Sequence, residues 1–243
     1  MSLLVRRVVA ELVGTAFLVM AVVGSGIMAS RLSPSDTGLA LLENSIATGA
    51  ALVALIVALQ PVSASFNPIV TLVEKALGLL GWRTAGALIA AQFAGGLAGT
   101  VVANAMFGLD AVALSTHPRT GPGLWLGEIV ATVGLLLVVF GTVRSGRAER
   151  VAFAVGGYIA AAYWFTSSTS FANPAMTLAR TITDTFAGIA PASAPAFMLA
   201  QLMGGVLGFI LVRLLYPAVA KVPAAAEDPP VADAASAADR KAI

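Results

Sequence analysis

The chain has 243 residues, 58% of them hydrophobic and only 11% charged, with a net charge of +2. A soluble domain carries about a quarter charged residues, so this balance excludes an ordinary water-exposed surface. No cysteine is present, which removes disulfide and thiol chemistry, and the lone His117 cannot build a metal site with others of its kind.

In chain order, the sequence opens with "MSLLVRR" and then a first apolar run near 8–29, which carries Glu11. That run is too long for the core of a cleaved signal, so it is read as a retained span. A second span falls near 40–60 and is followed by "SAS" and "FNPIVTLVEKALGLLGW", apolar but too short to cross. The third and fourth spans lie near 84–107 and 122–143, the latter carrying Glu128, and the fifth near 151–167. A second short apolar segment, "ANPAMTLARTIT", precedes the sixth span near 196–217, and an acidic, Ala- and Pro-rich tail over 218–243 reads as disordered. The fold class expected is an all-α membrane protein, with one channel-like domain over 1–217. Its cations concentrate on the side shared by the termini, for example Arg6, Arg7, Lys75, Arg83, Arg144, Arg147 and Arg150, while Arg31, Arg119 and Arg180 fall on the other. The positive-inside rule then places both termini in the cytoplasm. These flanking cations also explain the basic character of the chain without any nucleic-acid partner.

Three segments recur in the same order: "AELVGT" with "GEIVAT", "FNPIVTL" with "ANPAMTL", and "AAQFAGGLAG" with "LAQLMGGVLG". Each half, about 5–107 and 122–217, holds three spans, so the second enters the bilayer from the opposite face. Such inverted repeats build sites at the midplane from interrupted helices. Asn is a favoured N-cap and Pro a favoured first helical residue, so Asn67-Pro68 and Asn173-Pro174 each start a half-helix inside the membrane. The two N-termini meet, each bringing about half a positive charge and unpaired N–H groups. With each amide oxygen capping its own helix, the amide nitrogen is left to donate into a lumen.

Glu11 and Glu128 occupy equivalent places in the first and fourth spans. Intramembrane carboxylates suggest a proton relay by default. Two-fold placement, one per re-entrant loop, favours instead a structural role as acceptors for loop N–H groups. Gln92 and Gln201 stand just before Gly95-x-x-x-Gly99 and Gly204-x-x-x-Gly208, which read as close helix crossings with the glutamines tying down nearby polar groups.

The paired Asn-Pro boxes in an inverted repeat, with Ala175 completing the second as Asn-Pro-Ala, resemble those of the aquaporin and glycerol-facilitator (major intrinsic protein) family. The resemblance covers residues 5 to about 217. It implies a homotetramer in the cell membrane with one pore per subunit, and passive conduction of small neutral solutes with no cofactor. It implies a pore midplane at Asn67, Pro68, Asn173, Pro174 and Ala175. Two departures follow from it. The first box ends in Ile69, whose larger side chain should press on the facing half-helix, and the loop before it is one residue short and lacks the family's histidine, which puts gating through that loop in doubt.

The second departure concerns the constriction. The family's arginine three residues after the second Asn is here Met176. Its other walls map to Thr48 (or to Ala47 without the deletion), to Ala161 by counting back from Asn173, and to Ser170. That set predicts a wide filter with no fixed charge. Similar filters occur in a bacterial branch of the family associated with arsenicals, which extends the expected solutes from water and glycerol-like polyols to arsenous acid or methylated arsenicals. Arg180 shares the face of Asn173 about 10 Å further out. It either lines the vestibule or, as favoured, reaches the outer surface or pairs with Asp184. The rival functions are an ordinary water channel, an ion-coupled secondary transporter using Glu11 and Glu128, and a purely structural membrane protein. None is an enzyme.

Overall fold

The computed structural model describes residues 1–217; the tail expected to be disordered lies outside the described residues. Eight α-helices follow one another among the described residues: α1 (Leu3–Leu32), α2 (Thr37–Leu59), α3 (Pro68–Ala76), α4 (Trp82–Met106), α5 (Pro122–Arg144), α6 (Val151–Phe165), α7 (Pro174–Ala179) and α8 (Ala194–Leu215). No strand occurs among the described residues. Five of them, α1, α2, α4, α5 and α8, are long and apolar enough to cross a membrane. The fifth expected span, α6, has 15 residues and is extended at its start by a 3-10 turn at Ala148–Arg150.

The helix ends have local causes. The first helix starts earlier than its apolar run because Ser2 caps it, accepting from Val5 N. Asp36 does the same for α2 through Leu39 N at 2.9 Å. The α6 helix stops at Phe165, two residues before the expected end, where Thr166 becomes extended and its hydroxyl donates back to Ala162 O at 2.7 Å.

The outside of the bundle is apolar: Phe17, Ile46, Phe153 and Leu199 are all more than half exposed. Its polar side chains are inside, with Glu11, Gln92, Glu128 and Gln201 all fully buried. That inversion of the usual pattern suits a lipid solvent.

The inverted repeat governs the packing. In one half α1 runs along α4, and in the other α5 runs along α8. Gly95 and Gly99 lie directly against the carbonyls of Leu12 and Ala16, and no side chain would fit between. Gly204 likewise faces Ile129 O and Thr132, while Gly208 packs against the Leu136 side chain. The halves join where α2 crosses α6: a Cβ on Gly49 would stand 2.9 Å from Gly156 O, and one on Gly156 would stand 2.6 Å from Gly49 O. Only small residues permit such approaches. Each short helix also packs against the other half, α7 on α4 and α3 on α8. Ile69 is accommodated there, since its Cγ2 occupies space 2.9 Å from where a Cβ on Gly205 of α8 would be.

Candidate functional site

The two short helices begin at the middle of the bundle, and their caps lock them together. The Asn67 side-chain oxygen accepts from Ile69 N at 2.9 Å, and that of Asn173 accepts from Ala175 N at 3.0 Å and Met176 N at 3.2 Å. Both side chains have extended backbone, and both are followed by Pro at the first helical position. The amide nitrogens do more than face a lumen. Asn67 Nδ2 donates to Ala172 O at 2.7 Å, and Asn173 Nδ2 donates to Phe66 O at 2.8 Å. An amide NH2 has two hydrogens, so each cross-link leaves one for the cavity that both asparagines line.

The accepting carbonyls belong to residues with left-handed backbone, Phe66 and Ala172, each with φ of 48°. A non-glycine residue there costs on the order of 1–3 kcal/mol. The carboxylates offset it. Glu11 accepts from Ser65 N at 2.8 Å, Phe66 N at 2.7 Å and the Ser63 hydroxyl at 2.6 Å. Glu128 accepts from Phe171 N at 2.9 Å and Ala172 N at 2.8 Å. The glutamines complete each set: Gln92 Nε2 donates to Glu11 and Thr71, and Gln201 Nε2 donates to Glu128 and Thr177. Gly14 leaves room on α1 for the Phe66 ring.

A cavity of about 270 Å³ runs past this midplane, from Arg7 and Gln60 near the chain termini to Met176 and Arg180 beyond it. A second cavity of about 220 Å³ lies at the far end, among Thr37, Asn44, Arg119 and Phe186. Tyr163 and Arg180 line both, so they form the neck between them.

Of the residues expected at a constriction, Thr48, Ser170 and Met176 line the larger cavity. Ala161 does not; it is exposed on the outer side of α6. The inner face of that helix is Val151, Val155, Ile159 and Tyr163, a strict four-residue spacing, and Ala161 is two residues, about 200°, away from it. Counting back from Asn173 fails because the segment 166–172 between helix and box carries its own turns, with positive φ at Thr169, Ser170 and Ala172. Tyr163 stands at the neck instead, its hydroxyl 3.2 Å from Thr48 Oγ1.

Arg180 also departs from the favoured expectation. It neither reaches the surface nor pairs with Asp184, because α7 ends at Ala179 and the chain tightens into a 3-10 turn at Arg180–Ile182. The guanidinium is 3% exposed, donates through Nε to Ala187 O, and stacks with its carbon 3.4 Å from the centre of the Phe171 ring. Asp184 accepts instead from Thr116 N at 2.8 Å and the Thr116 hydroxyl at 2.9 Å, with His117 Nε2 3.6 Å away. Those bonds hold its carboxyl below the ordinary aspartate range, the Thr116 N–H being the largest cause.

Two cavity residues were not anticipated as such. Arg119, in the connection between α4 and α5, turns inward; its Nε donates to Gly188 O at 2.9 Å and its guanidinium carbon lies 5.1 Å from the Phe171 ring centre. Burial lowers its pKa from the ordinary arginine value. The connection is pinned by Ala113 N to Ile182 O at 3.1 Å and Ser115 N to Thr181 O at 2.9 Å. Glu74 lines the larger cavity near the termini and accepts from the Ser65 hydroxyl at 3.0 Å.

An inverted pair of half-helices, cross-linked at their caps beside a cavity that threads the bundle, defines a helical membrane channel. The sequence matches the family described as "Major intrinsic protein" over residues 1–159 and again over 144–239, and the chain belongs to that family. It is 52% identical over 217 residues to "Aquaglyceroporin AqpS" of Rhizobium meliloti (strain 1021), covering 88% of this chain and 92% of that one. It is 32% identical over 129 residues to "Probable aquaporin NIP7-1" of Arabidopsis thaliana, covering 52% of this chain and 46% of the plant protein. The X-ray structure of the aquaglyceroporin from Plasmodium falciparum superimposes with a TM-score of 0.69, covering 88% of this chain and 98% of that one at 18% identity, a likeness of fold. The chain is a channel and not an enzyme.

Proposed function

We propose that the chain conducts water and small uncharged polyol-like solutes such as glycerol passively along the cavity that passes Asn67 and Asn173. The observation that carries this reading is the pair of amide N–H groups presented at the midplane of a continuous, largely apolar cavity. A hydroxylated solute finds donors there, while two half-helix N-termini repel cations. The name of the rhizobial relative supports glycerol as a solute. The selecting residues are Thr48, Ser170 and Met176 on one side of the neck and Tyr163 and Arg180 at it. Arsenous acid, a neutral trihydroxy compound at pH 7, belongs to the same solute class. In this reading residues 1–217 are one channel unit. Both termini face the cytoplasm of a cell in whose membrane the chain forms a homotetramer.

One observation favours a narrower reading, an ordinary water channel: two large side chains, Tyr163 and Arg180, line both cavities where they meet. Swelling of proteoliposomes in osmotic gradients of glycerol, urea and arsenous acid, alongside water permeability, decides. Glycerol entry well above that of empty liposomes is expected. Water flux alone would leave the narrower reading, and no flux of either would remove the channel assignment from this cavity.

A further inference from the structure

The far-end vestibule has a charge pattern that neutral solutes do not require. Two guanidiniums, Arg119 and Arg180, converge on one aromatic ring, Phe171, and both line the vestibule. Among the described residues, no carboxylate lines that cavity. The nearby Glu128 is already committed to Phe171 N, Ala172 N and Gln201. Two like charges, Arg180 buried and Arg119 half-buried, are unfavourable together unless a counter-charge joins them.

The free donors point to what that counter-charge is. A guanidinium has five N–H groups. Arg180 uses its Nε on Ala187 O, and among the described residues its terminal nitrogens have no protein acceptor. Arg119 uses Nε on Gly188 O and Nη2 on Phe186 O at 3.4 Å, leaving Nη1 unpartnered. These backbone bonds fix both forks rather than neutralise them. Thr37, Thr169 and the Tyr163 hydroxyl add neutral polar groups around the same space. Planar forks of this kind bind oxygen anions through two parallel charge-assisted hydrogen bonds.

We propose that Arg119 and Arg180 form a vestibule site for a small monovalent oxyanion, either a carboxylate or the anion of an inorganic oxyacid, directly above the neck. This rests on reading the cavity as the conduction path. The site concentrates weak oxyacids at the mouth, and a bound anion sits where it obstructs neutral solutes entering past Tyr163. Chloride, with no paired oxygens, does not use the fork.

The test is glycerol flux into proteoliposomes at pH 7 with lactate, phosphate or chloride added at equal ionic strength. Saturable inhibition by lactate or phosphate, and not by chloride, is expected; the lactate and phosphate arms distinguish the organic from the inorganic source. In Arg119→Gln the half-inhibiting concentration, taken relative to each variant's own uninhibited flux, should rise about tenfold or more through loss of a charge-assisted bond. Arg119→Lys, which keeps the charge but not the fork, should also weaken inhibition and serves if the glutamine variant does not assemble. Arg31→Gln, at a guanidinium that is held on Phe107 and does not line the vestibule, should leave it unchanged. Equal effects of all three salts, or unaltered inhibition in both Arg119 variants, would overturn the proposal. Absence of glycerol flux in the unsubstituted protein would instead defeat the channel reading on which it rests.

Discussion

At the scale of single residues, the neck depends on which face of α6 looks inward. Tyr163 continues the cavity-lining spacing of Val151, Val155 and Ile159, whereas Ala161 faces out. Replacing Tyr163 with Ala removes the ring and its contact with Thr48, so the ratio of glycerol to water flux should rise, by about tenfold if the barrier falls by ~1.4 kcal/mol. Ala161→Val should leave that ratio where it was. A ratio that responds to position 161 and ignores 163 would reverse the assignment of the faces. The loop carboxylates make a second case. In Glu128→Gln one carboxylate oxygen becomes an NH2, so either Phe171 N or Ala172 N loses its acceptor in a dry interior. Such a loss costs about 1–3 kcal/mol. The apparent Tm in detergent should therefore fall by roughly 2–12 °C for a chain of this size, and a Tm equal to that of the unsubstituted protein would show that the loop does not depend on Glu128.

At the scale of elements, the close crossings and the loop latch carry the argument. A Cβ at Gly99 would run into the backbone carbonyl of Ala16, which no side-chain rotation can relieve, whereas one at Gly86 meets nothing within 4 Å. Gly99→Ala should therefore reduce folded yield and Tm sharply, while Gly86→Ala should be neutral or slightly stabilising through helix propensity; size-exclusion yield and thermal unfolding of the pair check this. The latch of the α4–α5 connection onto Asp184 has a pH signature. Because the Thr116 bonds depress the Asp184 pKa in the folded protein, their stabilisation is present above the unfolded aspartate value and is lost as pH falls through the lower folded one. Hydrogen-exchange protection of the Thr116 amide should thus hold from pH 8 to about 4 and decline only below. Loss of protection already well above pH 4 would mean that Asp184 does not control the latch. These elements also show why the sequence disclosed some features and concealed others. The helices, the inverted repeat and the rare Glu, Gln and Asn in it were legible because buried polar atoms in an apolar chain must find partners. The inward turn of Arg119 was hidden because a connecting segment has no periodicity. Arg180 lies off the face that an extrapolated helix gives it because the chain tightens into a 3-10 turn past Ala179, and a fixed count from Asn173 lands on Ala161 rather than Tyr163 because the intervening segment holds left-handed residues. The four-residue spacing from Val151 was the signal that would have found it.

For the whole molecule, the question is whether this frame can couple transport to an ion gradient. A coupled transporter must rock one repeat against the other around its site. Here Gly95 and Gly99 of α4 are wedged against bare carbonyls of α1, Gly204 of α8 stands against Ile129 O of α5, and the halves meet at a similar crossing of Gly49 and Gly156. The short helices are tied across the two-fold by Asn67 to Ala172 and Asn173 to Phe66, so rocking would break both cross-links at once. Each repeat-related carboxylate is also spent, Glu11 and Glu128 holding loop N–H groups and glutamines rather than facing the lumen. Among the described residues Glu74 is the one carboxylate lining the larger cavity, and it lies at the end near the termini, away from the neck. Energy from a proton gradient therefore has no moving element through which to act. Radiolabelled glycerol in proteoliposomes should equilibrate to equal concentrations inside and out, at the same final level with an imposed pH or sodium gradient as without one. Whatever a transmembrane pH change does to the rate, the endpoint must stay fixed for a passive path. Accumulation above the external concentration that collapses with an ionophore would require a rocking mechanism that these crossings forbid.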